Sequence, residues 1–157
     1  LGHCRIATIA GPLNTVAGRD RLAGYRQALS QAGMETEEAL ITEGDFTEES
    51  GFYAMKRLMR VEPTAVFAAS DLMAVGALKA LLQAGKRVPE DVSVAGFDDC
   101  PAAMLVEPQL TTVQQVVVDL GCVAAERLIA LLENPAARFQ SQVLPTRLVV
   151  RRSTQSI

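Results

Sequence analysis

Apolar residues in this chain come in two rhythms. Short continuous runs, "RIATIA" (Arg5 to Ala10), "TAVFAA" (Thr64 to Ala69) and "VSVAGF" (Val92 to Phe97), alternate with stretches where they recur every three or four positions. Continuous runs of that length fit strands covered on both faces, and the wider spacing fits helices. The first helix is expected from about Asn14 to Ala32, with Val16, Leu22, Tyr25, Ala28 and Leu29 inward and Gly33 at its stop. A second strand follows around Glu38 to Thr42. Thr47 opens the next helix as N-cap, with Glu48 and Glu49 in its first turn and Phe52, Met55, Leu58 and Met59 facing inward to Glu62-Pro63. Ser70-Asp71 caps a third helix with the stripe Leu72, Val75, Leu78 and Leu82, ending at Gly85.

"LTTVQQ" (Leu110 to Gln115) reads as a short extended segment, followed by a helix from about Val117 to Leu132 with a wide apolar face. The final strand is expected over Val143 to Val150, with Pro145 favouring a sheet edge. Strands alternating with helices of this length predict an α/β fold: an open, mostly parallel sheet flanked by helices, in a Rossmann-like three-layer arrangement.

At 157 residues the chain suits a single unit with a proper core, and 49% hydrophobic residues argue against disorder. Aromatics are only 4%, so that core must be aliphatic. A net charge of −3 provides no basic footprint for nucleic acid. Cys4, Cys100 and Cys122 are odd in number and widely spaced, which fits free thiols in a reducing compartment. No apolar run reaches the roughly 18 residues of a membrane span.

In an open parallel sheet, ligands bind beyond the carboxyl ends of the strands. Read that way, the strand ends offer Arg21, Phe46, Ser70 with Asp71, the pair Asp98-Asp99, and Gln114 with Gln115. Adjacent carboxylates can bind a metal, perform acid–base chemistry, hold sugar hydroxyls or cap a turn. A guanidinium, a ring, a hydroxyl, a carboxylate and an amide together suit a neutral polyhydroxylated ligand. Plainer roles stand beside these: a surface pair with Asp20 for Arg21, core packing for Phe46, and helix capping for Ser70 and Asp71. No phosphate-binding glycine motif or nucleophile elbow is present, and the single histidine, His3, lies before the first strand. Neither a catalytic set nor a metal or cofactor site is expected.

Seven segments, in order, resemble the lactose/galactose repressor (LacI/GalR) family of bacterial transcription regulators. They are "LGHCRIATIAGP", "RDRLAGYRQAL", "EGDF", "PTAVFAASDLMAVGALKAL", "GKRVPEDVSVAGFDD", "PQLTTVQQ" and "LPTRLVVRRST". The resemblance implies one lobe of a two-lobed, periplasmic-binding-protein-like (type I) effector domain. Residues 111–132 would cross back to a first lobe, and a helix-turn-helix head would lie outside this sequence. By motif position it puts effector contacts on Arg21, Phe46, Ser70, Asp98 and Gln115, and leaves Asp99 to stabilise the turn. Many relatives have Asn where Ser70 stands. It also implies a cytoplasmic homodimer that binds a small effector and reaches operator DNA only through the head. Val75, Leu78, Met104, Leu105 and Val106 are the interface candidates. Rival readings are a periplasmic sugar-binding protein of a transporter and, more distantly, a Mg²⁺-dependent phospho-acceptor domain.

Overall fold

A computed structural model describes residues 1–157. Four strands, β1 (Ile6–Ala10), β2 (Ile41–Glu43), β3 (Ala65–Ala68) and β4 (Ser93–Ala95), form one parallel sheet in the order β2-β1-β3-β4. Thr8 pairs with Ile41, Ile6 with Ala65, and Ala65 with Ser93. The direction of winding reverses between β1 and β3, which opens a crevice at their carboxyl ends.

Helices α1 (Val16–Gln31), α2 (Glu48–Leu58) and α3 (Asp71–Gln83) connect these strands, and the single turn α4 (Ala102–Leu105) follows β4. Thr15, Thr47 and Ser70 each cap a helix by accepting from a backbone N–H three residues on. The main core lies where α2 and α3 cover one sheet face, around Ile9, Met55, Leu58, Val66, Met73, Leu81 and Val94. A smaller cluster of Ala10, Leu22, Tyr25 and Leu29 lies under α1 on the other face. α2 and α3 touch backbone to backbone: a Cβ at Gly76 would stand 2.0 Å from the Glu48 carbonyl oxygen.

Beyond β4 the pattern changes. β5 (Thr112–Gln114) lies alongside β4 through two isolated parallel bridges, Ala95 to Thr111 and Asp98 to Gln114. It pairs antiparallel with β6 (Arg147–Val149). Between them runs α5 (Val117–Glu133), none of whose residues is buried.

Several expected boundaries shift. The segment expected as a second strand begins with a 3₁₀ turn over Glu38–Leu40, and its strand is Ile41–Glu43. The strand expected over 92–97 is confined to Ser93–Ala95, and the one expected over 143–150 to Arg147–Val149. β6 has only the three residues of β5 to pair with, and Pro145 has no N–H to extend the ladder. On α3 the predicted stripe is half buried: Val75 and Leu78 are covered but Leu72 and Leu82 are exposed, and Met73, Ala74, Ala77, Ala80 and Leu81 also face the core. The helix is apolar nearly all round, so periodicity did not single out one face.

Candidate functional site

The strand ends bring the chemistry together as parallel winding requires. Arg21 sits in the second turn of α1, and its Nη1 donates to the carbonyl oxygen of Ala69 at 2.5 Å. Its Nη2 donates to Asp98 Oδ1 at 3.1 Å. The guanidinium carbon lies 4.1 Å from the Phe97 ring centroid and 5.7 Å from that of Phe46. Held between two rings and two oxygens, this side chain has little freedom left to lose on binding a ligand.

Two of the site's residues have left-handed backbone, Phe46 at φ 68° and Asp98 at φ 116°. Such conformations cost about 1–3 kcal/mol and persist where surrounding bonds enforce them. For Phe46 the neighbouring Asp45 does so: its Oδ1 accepts from the Thr47 amide at 2.9 Å and from the Thr47 hydroxyl at 2.5 Å. These bonds and one from Ser50 hold the Asp45 carboxyl at a pKa of about 2, below the usual 3.8. Asp98 is fixed from β5, its N–H donating to the Val113 carbonyl at 2.8 Å.

Arg21, Phe46, Ser70 and Asp98 all line one open cavity of about 570 Å³, together with Leu72 and Cys100. Ser70 accepts from the Met73 amide at 3.3 Å and keeps its own O–H to donate. Gln115 does not line that cavity. It borders a larger, apolar groove of about 690 Å³ between α1 and the open sheet face. From there its Nε2 donates to Asp98 Oδ1 at 2.5 Å. The polar cavity, where the convergent donors and acceptors are, is the candidate site.

The adjacent acids point opposite ways. Asp98 faces the cavity. Asp99 turns inward, accepting from Arg151 Nη2 at 2.6 Å and from Gln114 Nε2 at 2.8 Å. The side chains of Arg151 and Asp99 are only 13% and 9% exposed. Asp71, read from sequence as a cap residue, is fully buried, and burial pushes its carboxyl pKa up. Burial likewise raises the Cys100 thiol. No group of three or more His, Cys, Asp or Glu side chains is arranged to hold a metal.

Sequence reasoning passed over Phe97 and Arg151. Phe97 was findable, since it immediately precedes Asp98 at a strand end. Arg151 carried no local signal, because its partner lies 52 positions away. Among the interface candidates, Val75 and Leu78 are buried within this chain at 5% and 7% exposure, because that side of α3 packs inside the fold. Val106 packs partly against the core, Met104 is exposed, and Leu105 is 85% exposed.

The family model for the periplasmic binding protein-like domain matches residues 1–154. The chain is 49% identical over 154 residues to the HTH-type transcriptional regulator CelR of Thermobifida fusca. That match covers 97% of this chain and 45% of CelR. It is 41% identical to the ribose operon repressor of Escherichia coli (strain K12), covering 97% of this chain and 47% of that repressor. This chain belongs to the LacI/GalR family. A solved CelR–cellobiose complex superposes with a TM-score of 0.93 at 48% identity, over 97% of this chain and 47% of that one. A lac repressor dimer bound to operator and an anti-inducer superposes at 0.91 with 37% identity, over 99% of this chain and 54% of that one. As a LacI/GalR domain the chain spans about half the length of these relatives, and its parallel, helix-flanked sheet is the type I periplasmic-binding-protein-like fold.

Proposed function

We propose that this domain is the effector-sensing part of a transcription regulator, a repressor by the names of several relatives, and that its effector is a small sugar. The observation that carries the reading is the pairing of Asp98 with Arg21 in a cavity that Phe46 and Ser70 also line. A carboxylate and a guanidinium side by side accept from and donate to vicinal hydroxyls, and a ring packs against the C–H face of a sugar. Cellobiose, the ligand in the CelR complex, is the first effector to test. The regulator reading is preferred to the transporter-linked and phospho-acceptor ones because the relatives are named as regulators.

Gln115 acts on the sugar through Asp98 rather than across the cavity. β5, α5 and β6 form the excursion to a second lobe that closes over the ligand. Closure favours one lobe arrangement by its differential contacts and sets the spacing of DNA-binding heads in a homodimer. Met104 and Leu105 supply apolar surface for that dimer. Operator DNA is reached through segments outside this chain, the protein works in the cytoplasm, and it performs no catalysis. No helix here is long and apolar enough to cross a membrane.

Calorimetric titration of the full-length protein with cellobiose, with Asp98→Ala and Arg21→Ala beside the parent, tests the site. Each substitution is expected to weaken binding by roughly tenfold or more, the loss of about one charge-assisted hydrogen bond. Unchanged affinity in both would overturn the assignment.

A further inference from the structure

Asp71 makes no contact with the cavity, yet three parts of the site meet on it. Its backbone N–H donates to the Phe97 carbonyl at 2.8 Å, joining the start of α3 to the loop that follows β4. Its Oδ2 accepts from the Cys100 amide at 2.8 Å, on the far side of Asp98 and Asp99. Its Oδ1 accepts from the Thr112 hydroxyl at 2.5 Å, on β5. The carboxylate is fully buried, and it fits only because residue 96 is glycine: a Cβ there would stand 2.3 Å from Asp71 Oδ1. The Asp98 loop is thus pinned at both ends to one residue, at Phe97 by the Asp71 backbone N–H and at Cys100 by the carboxylate, which also grips the strand leading to α5.

We infer that Asp71 is the positioning residue that holds Asp98 in its left-handed conformation and ties the ligand loop to β5. This rests on the sugar-site reading above. Ser70, its neighbour, touches the cavity, whereas Asp71 acts only through the loop and the strand. A buried carboxylate is disfavoured by desolvation unless its bonds repay that cost, so its placement here marks the junction where loop geometry is set.

The test uses the full-length protein with Asp71→Leu, Asp71→Asn and Thr112→Val, read by amide hydrogen exchange and by cellobiose titration, with Asp98→Asn as control. Asp71→Leu leaves the Cys100 N–H and the Thr112 O–H without an acceptor. Exchange is expected to rise in peptides covering 97–100 and 111–114 and to stay unchanged in β1 and α2, while cellobiose affinity falls roughly tenfold or more. Asp71→Asn recovers most of that affinity, because its carbonyl accepts from Cys100 and its amide donates to the Thr112 hydroxyl. Thr112→Val, which removes only one donor, loosens 111–114 and weakens binding less, and it carries the test should Asp71→Leu fail to fold. A uniform rise in exchange, or a loosened loop with affinity held within about threefold, overturns the inference. If Asp98→Asn binds cellobiose as the parent does, the sugar-site reading fails instead, while the exchange measurement still judges the link to β5.

Discussion

Helices α3 and α5 have nearly the same chemical character and opposite fates. α3 reads "DLMAVGALKALLQ" and α5 reads "VVDLGCVAAERLIALLE", both dominated by Ala, Val and Leu. Nine residues of α3 are buried, among them Met73, Ala74, Ala77 and Leu81; none of α5 is. Val118, Leu128, Ile129 and Leu132 of α5 stand in the open. Apolar content states what a helix needs to cover, and topology decides whether this chain supplies the cover. Right-handed crossovers place α2 and α3 on one face of the sheet, whereas the turn after β5 leads α5 away from it.

Paired substitutions sharpen that contrast. The largest effect is expected for Leu81→Ala, which opens a cavity under α3 and lowers unfolding free energy by about 2–5 kcal/mol, whereas Leu128→Ala on α5 stays within about 0.5 kcal/mol. Chemical denaturation of this chain measures both, and equal losses would break the comparison. Next, Gly76→Ala destabilises by about 1–3 kcal/mol, since its methyl meets the Glu48 carbonyl at 2.0 Å. The same change at Gly121, which has nothing within 4 Å, stabilises by about 0.5–1 kcal/mol through helix propensity. One substitution, opposite signs, read by thermal melting.

Caps come third. Thr47→Ala removes the acceptor for the Ser50 amide and is expected to lower stability by about 1 kcal/mol. α5 has no side-chain cap at Val116, so Val116→Ser is expected to raise its helicity slightly by circular dichroism. The smallest effect lies in acid. Asp45, whose folded pKa of about 2 lies below the ordinary 3.8, adds stability that is present above pH 4 and lost as pH falls toward 2. Asp45→Asn should abolish that part of the pH dependence and leave α5 untouched, because the bonds concerned all lie at the start of α2.

Much of the candidate site was legible in the sequence. Arg21, Phe46, Ser70 and Asp98 were picked out as residues following strands, and a parallel sheet delivers all such positions to one rim. Gln115 was placed at the same rim, but it reaches Asp98 from the neighbouring groove. Asp71 looked like a cap residue, as its position at the start of α3 suggests, and its bonds to Cys100 and Thr112 carried no local mark. On α3 the expected inward stripe was right for Val75 and Leu78 and wrong for Leu72 and Leu82, since a helix apolar on nearly every side offers periodicity no contrast to detect.

The order of residues alone determined the alternation of strand and helix, the parallel sheet and the rim where ligand chemistry gathers. Those features follow from period, capping and crossover handedness, which act over a few residues at a time. Only the tertiary structure decided that Asp98 faces the cavity while Asp99 turns inward to Arg151, that Asp71 joins loop to strand, and that α5 is left bare. Those outcomes depend on which distant groups meet and on what is desolvated when they do, and pairings 29 to 52 positions apart leave no imprint on local pattern.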